Sequence, residues 1–546
     1  MTSRKILRLT VAALAGASVV AALTACATAA APAATTASSS KPIEGGTLVY
    51  LEQGAATNLY PPQGGSYTSG GILNNVLDRL TWQDPTSLKI EPWIAKSWTA
   101  NSTDTEYTFH LRSGVTFSDG TPLDAAAVKK NYDVYGLGDA ALNLGKSEVI
   151  NNYSHSTVVN PSTIEFFFTA PAPGFLQATS TISSGLLAPK SLDQNLNAFS
   201  LATNLIGSGP FTVSNEVVNK ETDLTVRKDY NWAPPSAAHQ GRAYLNEVKY
   251  IIEPEDSVRI GSLLSGQGDL IRSVPAYDEK QVTGAGYTLY APQTKGVNDT
   301  INFRPSNPLV SDVRVRQAIV DAVNLNQIHS TLFSANYPVA TSVLSNLASD
   351  YKNTSALSKY NLAKSKQLLD AAGWKLGSDG VREKDGTKLI LNVYYQLPGG
   401  QPQTQQTLEL VEQQLKKVGV ELNILSPSSA DYATAVLDPT KTPLYIGDAG
   451  RADTDVIGTY FGYTNRNVLR YDDPKLESLL QAADSATDAT AKANAVGDVQ
   501  TYIAQEAYAI PILQEPQVFG GAPYVKDVAF ESVGRPTFYG TWIAKH

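Results

Sequence analysis

The only cysteine in the chain, Cys26, closes a stretch at the start of the sequence that has the pattern of a secretion signal. Basic residues occur between positions 4 and 8, and a run of apolar and small residues follows from 11 to 23. A basic start, an apolar centre and small residues before a cleavage point are the marks of a secretory signal. We therefore expect residues 1–25 to be removed during export.

The residues at 23–26, Leu-Thr-Ala-Cys, also resemble the lipobox of bacterial lipoproteins, in which the cysteine is lipidated and becomes the first mature residue. This resemblance implies a secreted protein that is lipid-anchored at Cys26 to the outer face of the cytoplasmic membrane. An ordinary signal with an incidental cysteine is the alternative. A transmembrane anchor is disfavoured, because the apolar run is too short to cross a hydrocarbon core of about 30 Å comfortably.

The composition limits the number of domains and the classes of partner that we expect. Removing the 25 residues before Cys26 from the 546 leaves 521, which suggests two or more domains. The signal carries three basic residues and no acidic one, so cleavage takes the formal net charge from −8 to −11. An acidic surface argues against nucleic acid as a partner. With Cys26 lipidated, no thiol remains for a disulfide, a metal site or a nucleophile. Residues 27–45, rich in Ala, Thr, Ser and Pro, read as a flexible tether.

Motifs of enzymes and cofactor sites are mostly missing from the sequence. No two of the five histidines are three to five residues apart, so there is no metal pair of the HExxH kind. Ser38 and Lys41 have the Ser-x-x-Lys spacing but lie in the predicted tether. Pro210, after a Gly-Ser-Gly turn at 207–209, prevents that turn from opening a phosphate-binding helix. We therefore predict no cofactor and no metal, while hydrolysis by paired carboxylates stays open because nothing singles out a pair.

Strand and helix patterns alternate along the chain. Strands are expected at 47–51 and 164–169, and an Asp-Gly turn at 118–120 interrupts a strand pattern over 105–117. A helix is expected from its cap at Asp124 to about residue 135.

The same alternation continues towards the C-terminus. A helix at 408–418, ended by Gly419, precedes a strand at 420–424. Two more helices are expected, one over 361–372 and one from Ser311 or Asp312 to about residue 332. This pattern predicts an α/β fold with a mixed sheet and helices on its faces.

Longer blocks of sequence identify a family. The run Glu-Pro-Trp-Ile-Ala-Lys-Ser-Trp at 91–98 is followed by Tyr-Thr-Phe-His-Leu-Arg-Ser-Gly-Val-Thr-Phe-Ser-Asp-Gly-Thr-Pro-Leu at 107–123. With these blocks, the chain from about residue 46 to its end resembles the family 5 extracytoplasmic solute-binding proteins of peptide/nickel-type ABC importers, the oligopeptide- and dipeptide-binding group. Shorter blocks match in the family's order, at 207–211, 230–232, 268–270, 302–303, 313–319, 363–373 and 510–512.

The resemblance implies a type II periplasmic-binding-protein fold of the cluster C type, with two lobes, a hinge and an extra subdomain. The expected organisation is a signal peptide at 1–25, a lipidated tether at 26–45, a discontinuous lobe I at 46–80, 206–300 and 515–546, an extra subdomain at 81–205, and lobe II at 301–514.

The resemblance also implies ligand-binding residues. In peptide binders of the group, an aspartate after a Trp-x-x motif accepts the ligand's amino terminus, and Asp453 falls at that position although the Trp is missing here. Arg451 is a competing partner for this carboxylate. The remaining predicted contacts are Asp448, Asp455, Gln53, Tyr395, Gln396 and Gln514.

The implied function is solute capture rather than catalysis. A monomer would close around a peptide-like solute and deliver it to a membrane permease driven by ATPase subunits. The alternatives are another cargo, such as an oligosaccharide, a metal-chelate or an amino-acid derivative, and a cell-surface sensor or hydrolase on the same fold.

Overall fold

A computed structural model describes residues 41–292, 294–395, 403–514 and 517–544. Cys26, the predicted signal peptide and the predicted tether up to residue 40 lie outside the described residues, as does Gln396.

The strands of the described residues are, in chain order, β1 (Thr47–Glu52), β2 (Thr81–Gln83), β3 (Ile90–Pro92), β4 (Ala95–Ala100), β5 (Glu106–Leu111), β6 (Tyr153–Asn160), β7 (Thr163–Phe168), β8 (Phe211–Val217), β9 (Glu221–Val226), β10 (Glu247–Ile252), β11 (Leu270–Arg272), β12 (Thr288–Tyr290), β13 (Gly296–Phe303), β14 (Lys375–Leu376), β15 (Arg382–Lys384), β16 (Thr387–Lys388), β17 (Ile390–Tyr394), β18 (Glu421–Leu425), β19 (Leu444–Gly450), β20 (Ala509–Leu513), β21 (Phe519–Gly521), β22 (Val525–Lys526), β23 (Ala529–Phe530), β24 (Pro536–Thr537) and β25 (Trp542–Ile543).

The α-helices of the same residues are α1 (Tyr67–Val76), α2 (Ala125–Leu137), α3 (Phe175–Ala178), α4 (Asp256–Leu264), α5 (Glu279–Gly284), α6 (Val313–Ala322), α7 (Leu325–Leu332), α8 (Leu362–Ala371), α9 (Thr404–Lys416), α10 (Ser429–Ala435), α11 (Val456–Phe461), α12 (Pro474–Asp484) and α13 (Ala489–Gln505). None of these helices is long and apolar enough to span a bilayer.

Two mixed sheets organise the molecule. The first sheet has the strand order β12-β21-β11-β1-β10-β9-β8, with β1 parallel to both β10 and β11. The second sheet has the order β18-β17-β19-β13-β20, with β13 antiparallel to both neighbours. Strands of the first sheet come from 47–52, 211–290 and 519–521, whereas those of the second sheet come from 296–513.

A separate antiparallel sheet, β4-β5-β7-β6, packs with α2 in the segment between β1 and β8. The central strands β5 and β7 alternate buried with more exposed positions, and Phe109, Phe166 and, on α2, Tyr132 contribute fully buried rings. Aromatic rings in edge-to-face contact, such as Phe109 and Phe166 at 5.4 Å, fill this core.

Local signals in the sequence place several element ends well. The Asp124 carboxylate accepts hydrogen bonds from the backbone N–H groups of Ala126 and Ala127, so α2 begins where its cap predicted. Asn361 caps α8 in the same way, through the backbone N–H of Lys364. Gly419, with φ of +81°, separates α9 from β18.

The single helix expected from Ser311 or Asp312 to about residue 332 is wrong in one respect. Asp312 caps α6, but the chain breaks after Ala322, and Asn324 caps a second helix, α7. The backbone N–H of Asn324 donates to Oε1 of Gln414 on α9, at 2.8 Å. This contact from a distant helix supports the break. The periodicity of residues 313–332 could not predict it, because it carries no signal of that contact.

Candidate functional site

A cavity of about 380 Å³ is lined by segments that are distant from one another in the sequence. One wall comes from the start of α1 around Tyr67, the turn at 180–183 and the loop at 531–535. The opposite wall comes from the end of β19, at 448–452, and from Arg466. The volume falls within the usual range of about 300–1,000 Å³ for small-molecule sites.

The end of β19 is held in place by the backbone. The N–H of Arg451 donates to the carbonyl of Lys295 at 2.8 Å, which ties the loop after β19 to the start of β13. Gly296 adopts a φ of +134°, and a Cβ there would lie 2.1 Å from the carbonyl oxygen of Ala449. Only glycine permits this close approach of the two strands, which fixes the position of the Arg451 side chain.

Three arginines on the cavity wall are each paired with a carboxylate. Arg451 pairs with Asp453, the Nε–Oδ2 distance being 2.9 Å, and Arg535 pairs with Glu531 at 3.1 Å. Arg466 donates two hydrogen bonds to Glu148, at 3.0 and 2.7 Å. These pairs cancel much of the wall's charge while keeping many hydrogen-bonding atoms. Such a wall suits a polar or zwitterionic solute better than one with a large net charge.

A second, smaller cavity of about 250 Å³ adjoins the first at Arg451. Asp453, Asp455 and Asp484 line it, and Lys492 is ion-paired with Asp455. Burial, followed by repulsion from Asp455, raises the pKa of Asp484 to about 6. Burial and the charge of Asp453 likewise raise the pKa of Asp455, although Lys492 opposes this rise.

Hydrogen bonds tie the segment just before β13 to one wall of the larger cavity and to a neighbouring segment of the chain. The Tyr67 hydroxyl on α1 lies 2.8 Å from Oγ1 of Thr294, just before β13. Lys295 Nζ donates to the carbonyls of Pro85, at 3.1 Å, and Ser532, at 3.3 Å. The Arg466–Glu148 pair, in contrast, joins residues of the two walls of the cavity.

Behind the wall, β13 carries a buried carboxyl. Asp299 is 6 % exposed and lies in a bulge of β13, facing the stretch of β19 that contains Asp448. Burial and then the negative charge of Asp448 raise the pKa of Asp299 to about 8. Its neighbours Asn298 and Thr300 donate to the carbonyls of Ser342 and Gly447, both at 2.9 Å.

The structure brings some of the predicted site residues together and leaves others apart. Asp448 and Arg451 line the larger cavity, and Asp453 and Asp455 line the smaller one. The remaining described positions, Gln53, Tyr395 and Gln514, line neither cavity. Tyr395 donates to Gln405 at 2.9 Å, and the side-chain oxygen of Gln514 accepts from the backbone of Asn346 at 2.9 Å.

Sequence reasoning missed several wall residues, among them Tyr67, Glu148, Arg466 and Arg535. None of them lies in a motif, and Glu148 and Arg466, which pair with each other, are 318 positions apart. Within the ranges that the structure describes, no group of three or more His, Cys, Asp or Glu side chains is arranged to hold a metal ion.

Comparison with known proteins identifies relatives along most of the chain. A model of the bacterial extracellular solute-binding proteins, family 5 Middle, matches residues 89–467. The chain is 22 % identical to the probable ABC transporter periplasmic-binding protein SapA of Escherichia coli (strain K12), over 91 % of this chain and 92 % of that protein. It is 27 % identical to the oligopeptide-binding protein AppA of Bacillus subtilis (strain 168), over 70 % of each.

Solved structures share the fold. AppA from Bacillus subtilis in complex with a nonapeptide superposes with a TM-score of 0.80 at 21 % identity, covering 92 % of this chain and all of that chain. NikA from Brucella suis in complex with Fe(III)-EDTA gives a TM-score of 0.76 at 20 % identity, covering 91 % and 100 %. The predicted type II periplasmic-binding-protein fold of cluster C is thereby confirmed. The chain belongs to the bacterial extracellular solute-binding proteins of family 5.

Proposed function

We propose that this protein is the solute-capturing lipoprotein of an ABC importer, and that it encloses a peptide-like solute between two lobes for delivery to a membrane permease. The observation that carries the proposal is the cavity of about 380 Å³, which is lined on one side by residues within 62–67, 146–183 and 531–535 and on the other by 448–452 and Arg466. A ligand there contacts both walls at once, so its binding favours the closed form over the open one.

The lobes of this proposal follow the expected organisation, with lobe I at 46–80, 206–300 and 515–546, the extra subdomain at 81–205, and lobe II at 301–514. The origin of the strands supports it, since the first sheet uses β1, β8–β12 and β21, and the second sheet uses β13 and β17–β20. The chain passes between the sheets before β13 and again after β20, and we place the hinge there.

The export and anchoring steps rest on the sequence alone. Cleavage before Cys26 and lipidation of its thiol would keep the monomeric binder beside its permease and raise its local concentration there. ATP hydrolysis belongs to the ATPase subunits of the importer in this scheme.

The Arg451–Asp453 pair supports a second candidate cargo. A peptide amine needs a charged acceptor on burial, but both carboxylate oxygens of Asp453 already accept from Arg451. A solute without an amine, such as an oligosaccharide, a metal-chelate or an amino-acid derivative, does not have to displace this arginine. The transport role is the same for either cargo.

A thermal-shift screen of the chain from residue 27 onward tests the proposal, because a ligand that binds only the folded state raises the melting temperature. The panel contains di- to octapeptides, their amino-acetylated forms, oligosaccharides and metal-chelates. Stabilisation by peptides supports the first cargo, and stabilisation by sugars or chelates alone supports the second. If no member of the panel stabilises the protein, the solute-capture proposal fails for these classes.

A further inference from the structure

A larger cavity, of about 500 Å³, shares no lining residue with the cavity in the cleft. Its lining residues fall within 42–93, 210–244 and 527–540, and none comes from 296–513, which supplies the second sheet. A molecule bound here therefore contacts only one side of the cleft and has no direct part in closing it. Interiors of proteins are packed to near-crystalline density, so an opening of this size between core elements needs an explanation.

Aromatic rings form two walls of this cavity. Trp82 and Trp93 meet edge to face, with ring centroids 5.7 Å apart, and Tyr230 and Tyr539 meet at 5.6 Å. Tyr244 and several prolines complete the apolar lining.

The polar atoms of three of these rings form hydrogen bonds within the protein. Trp93 Nε1 donates to the carbonyl of Trp232 at 3.1 Å, and the Tyr230 hydroxyl donates to Asp78 at 3.2 Å. The Tyr539 hydroxyl donates to the carbonyl of Gly241 at 3.0 Å. The polar atoms of Trp93, Tyr230 and Tyr539 are thus engaged by the protein, which leaves the faces and edges of these rings for the cavity and favours a flat apolar or aromatic occupant.

A buried cation lies in the tryptophan wall. Arg79 is 3 % exposed, and its guanidinium carbon lies 5.6 Å from the ring centre of Trp82 and 5.2 Å from that of Trp93. Its hydrogen bonds go to neutral oxygens, those of Asn74 at 2.7 Å and of the Ser180 carbonyl at 3.3 Å, and its Nε has no acceptor among the described residues. In the described part of the chain, no carboxylate is within ion-pair distance of Arg79.

The nearby acids are engaged elsewhere. Asp78 accepts from Trp232 at 2.7 Å as well as from Tyr230, and Glu531 is paired with Arg535. At the rim, Asp84 accepts from Ser87, and Asp527 accepts from Trp542 at 2.7 Å. Burial lowers the pKa of Arg79 to about 10, although the more distant charges of Glu531 and Asp78 oppose this. A buried guanidinium without a direct ion pair is costly, and an anionic group placed against it relieves that cost.

We propose that this cavity is a second binding site, separate from the cleft, for a flat aromatic acid. The aromatic walls enclose the ring, and Arg79 receives the carboxylate. The lining combines a mostly apolar surface with one convergent charged group, the usual character of a small-molecule site.

Calorimetric titration with 1-naphthoate tests this site, with 1-naphthylmethanol as the uncharged analogue. We expect saturable binding of 1-naphthoate and binding of the alcohol that is about tenfold weaker or worse, since the alcohol cannot form the charge-assisted hydrogen bonds of the carboxylate. Ala238→Trp, at an exposed residue of the lining, should fill the cavity and abolish binding without disturbing the core.

Two variants serve as controls. Ala482→Trp makes the same change at an exposed position of α12 and should leave the affinity for 1-naphthoate unchanged. Arg466→Gln alters the cleft and should also leave it unchanged. The proposal is overturned if 1-naphthoate does not bind at millimolar concentration, if Ala238→Trp binds it as well as the unaltered protein does, or if Arg466→Gln abolishes binding.

Discussion

Arg466 and Glu148 form a two-point ion pair across the mouth of the cleft. Nε of the arginine lies 3.0 Å from one carboxylate oxygen and Nη2 lies 2.7 Å from the other. Glu148 belongs to the segment between α2 and β6, whereas Arg466 follows α11, so the pair joins two parts of the chain that are distant in sequence. A planar guanidinium fits a carboxylate in this geometry, which makes the pair a good candidate for a closure contact.

Replacing Glu148 with Gln should weaken ligand binding in the cleft about two- to fivefold. The two side chains are 44 % and 31 % exposed, and ion pairs of that exposure contribute up to about 1 kcal/mol. Arg466→Gln should cause the same loss, and the double variant should lose no more than either single variant. Calorimetric titration with a solute that stabilises the protein measures these affinities. Losses that simply add in the double variant would show that the pair does not contribute to closure.

Arg451→Gln should release Asp453 and change which ligands bind. The two side chains are 11 % and 15 % exposed, so removing one partner of the pair should lower the free energy of unfolding by about 2–3 kcal/mol. The freed carboxylate should then favour peptides with a free amine over acetylated ones. Urea unfolding and competition between the two peptide forms measure the two effects. Equal affinity for both forms in this variant would exclude Asp453 as an amine contact.

Features with a local cause were predicted well from the sequence. The caps at Asp124 and Asn361 and the positive φ at Gly419 depend on neighbouring residues, so the ends of α2, α8 and α9 follow from local chemistry. Composition and periodicity predicted only an α/β protein. The sequence blocks that resemble the family predicted the specific fold.

Features that depend on distant contacts could not be predicted in this way. The break between α6 and α7 is supported by Gln414, which lies 90 positions beyond Asn324. Glu148 and Arg466 have no common motif, and the buried cation Arg79 acquires its setting only when α1, the tryptophan wall and the turn at Ser180 come together. For the site, the sequence located the loop after β19 but not the wall that faces it.

Gly207→Ala should destabilise the protein by about 2–3 kcal/mol. A Cβ at this position would lie 2.1 Å from the carbonyl oxygen of Val76 and 2.6 Å from a side-chain carbon of Leu77, and a backbone atom cannot move aside as a side chain can. Gly261→Ala is the matched control, since this exposed glycine of α4 has no atom within 4 Å of an added Cβ. Helix propensity should make that variant more stable by up to about 1 kcal/mol. Urea unfolding compares the two, and equal stability changes would contradict the steric argument.

Asp299→Asn should remove part of the protein's loss of stability between about pH 4 and pH 8. Burial and the charge of Asp448 raise the pKa of Asp299 from the usual 3.8 to about 8, so between these values the folded state holds a proton that the unfolded state has lost. Stability therefore falls as pH rises through this window, by at most about 1.4 kcal/mol per pH unit from this group. The neutral amide does not titrate. The stability of the variant relative to that of the unaltered protein should therefore be higher at pH 8 than at pH 5.

Urea unfolding at both pH values measures this difference, and the comparison with the unaltered protein removes the contributions of other buried acids such as Asp78, whose pKa burial raises to about 7. Asp472→Asn makes the same chemical change at an exposed position and should leave the difference between pH 5 and pH 8 as it is. If Asp299→Asn also leaves that difference unchanged, the carboxyl is ionised in the folded protein across the whole range, and its burial beside Asp448 must be compensated by water or by a cation.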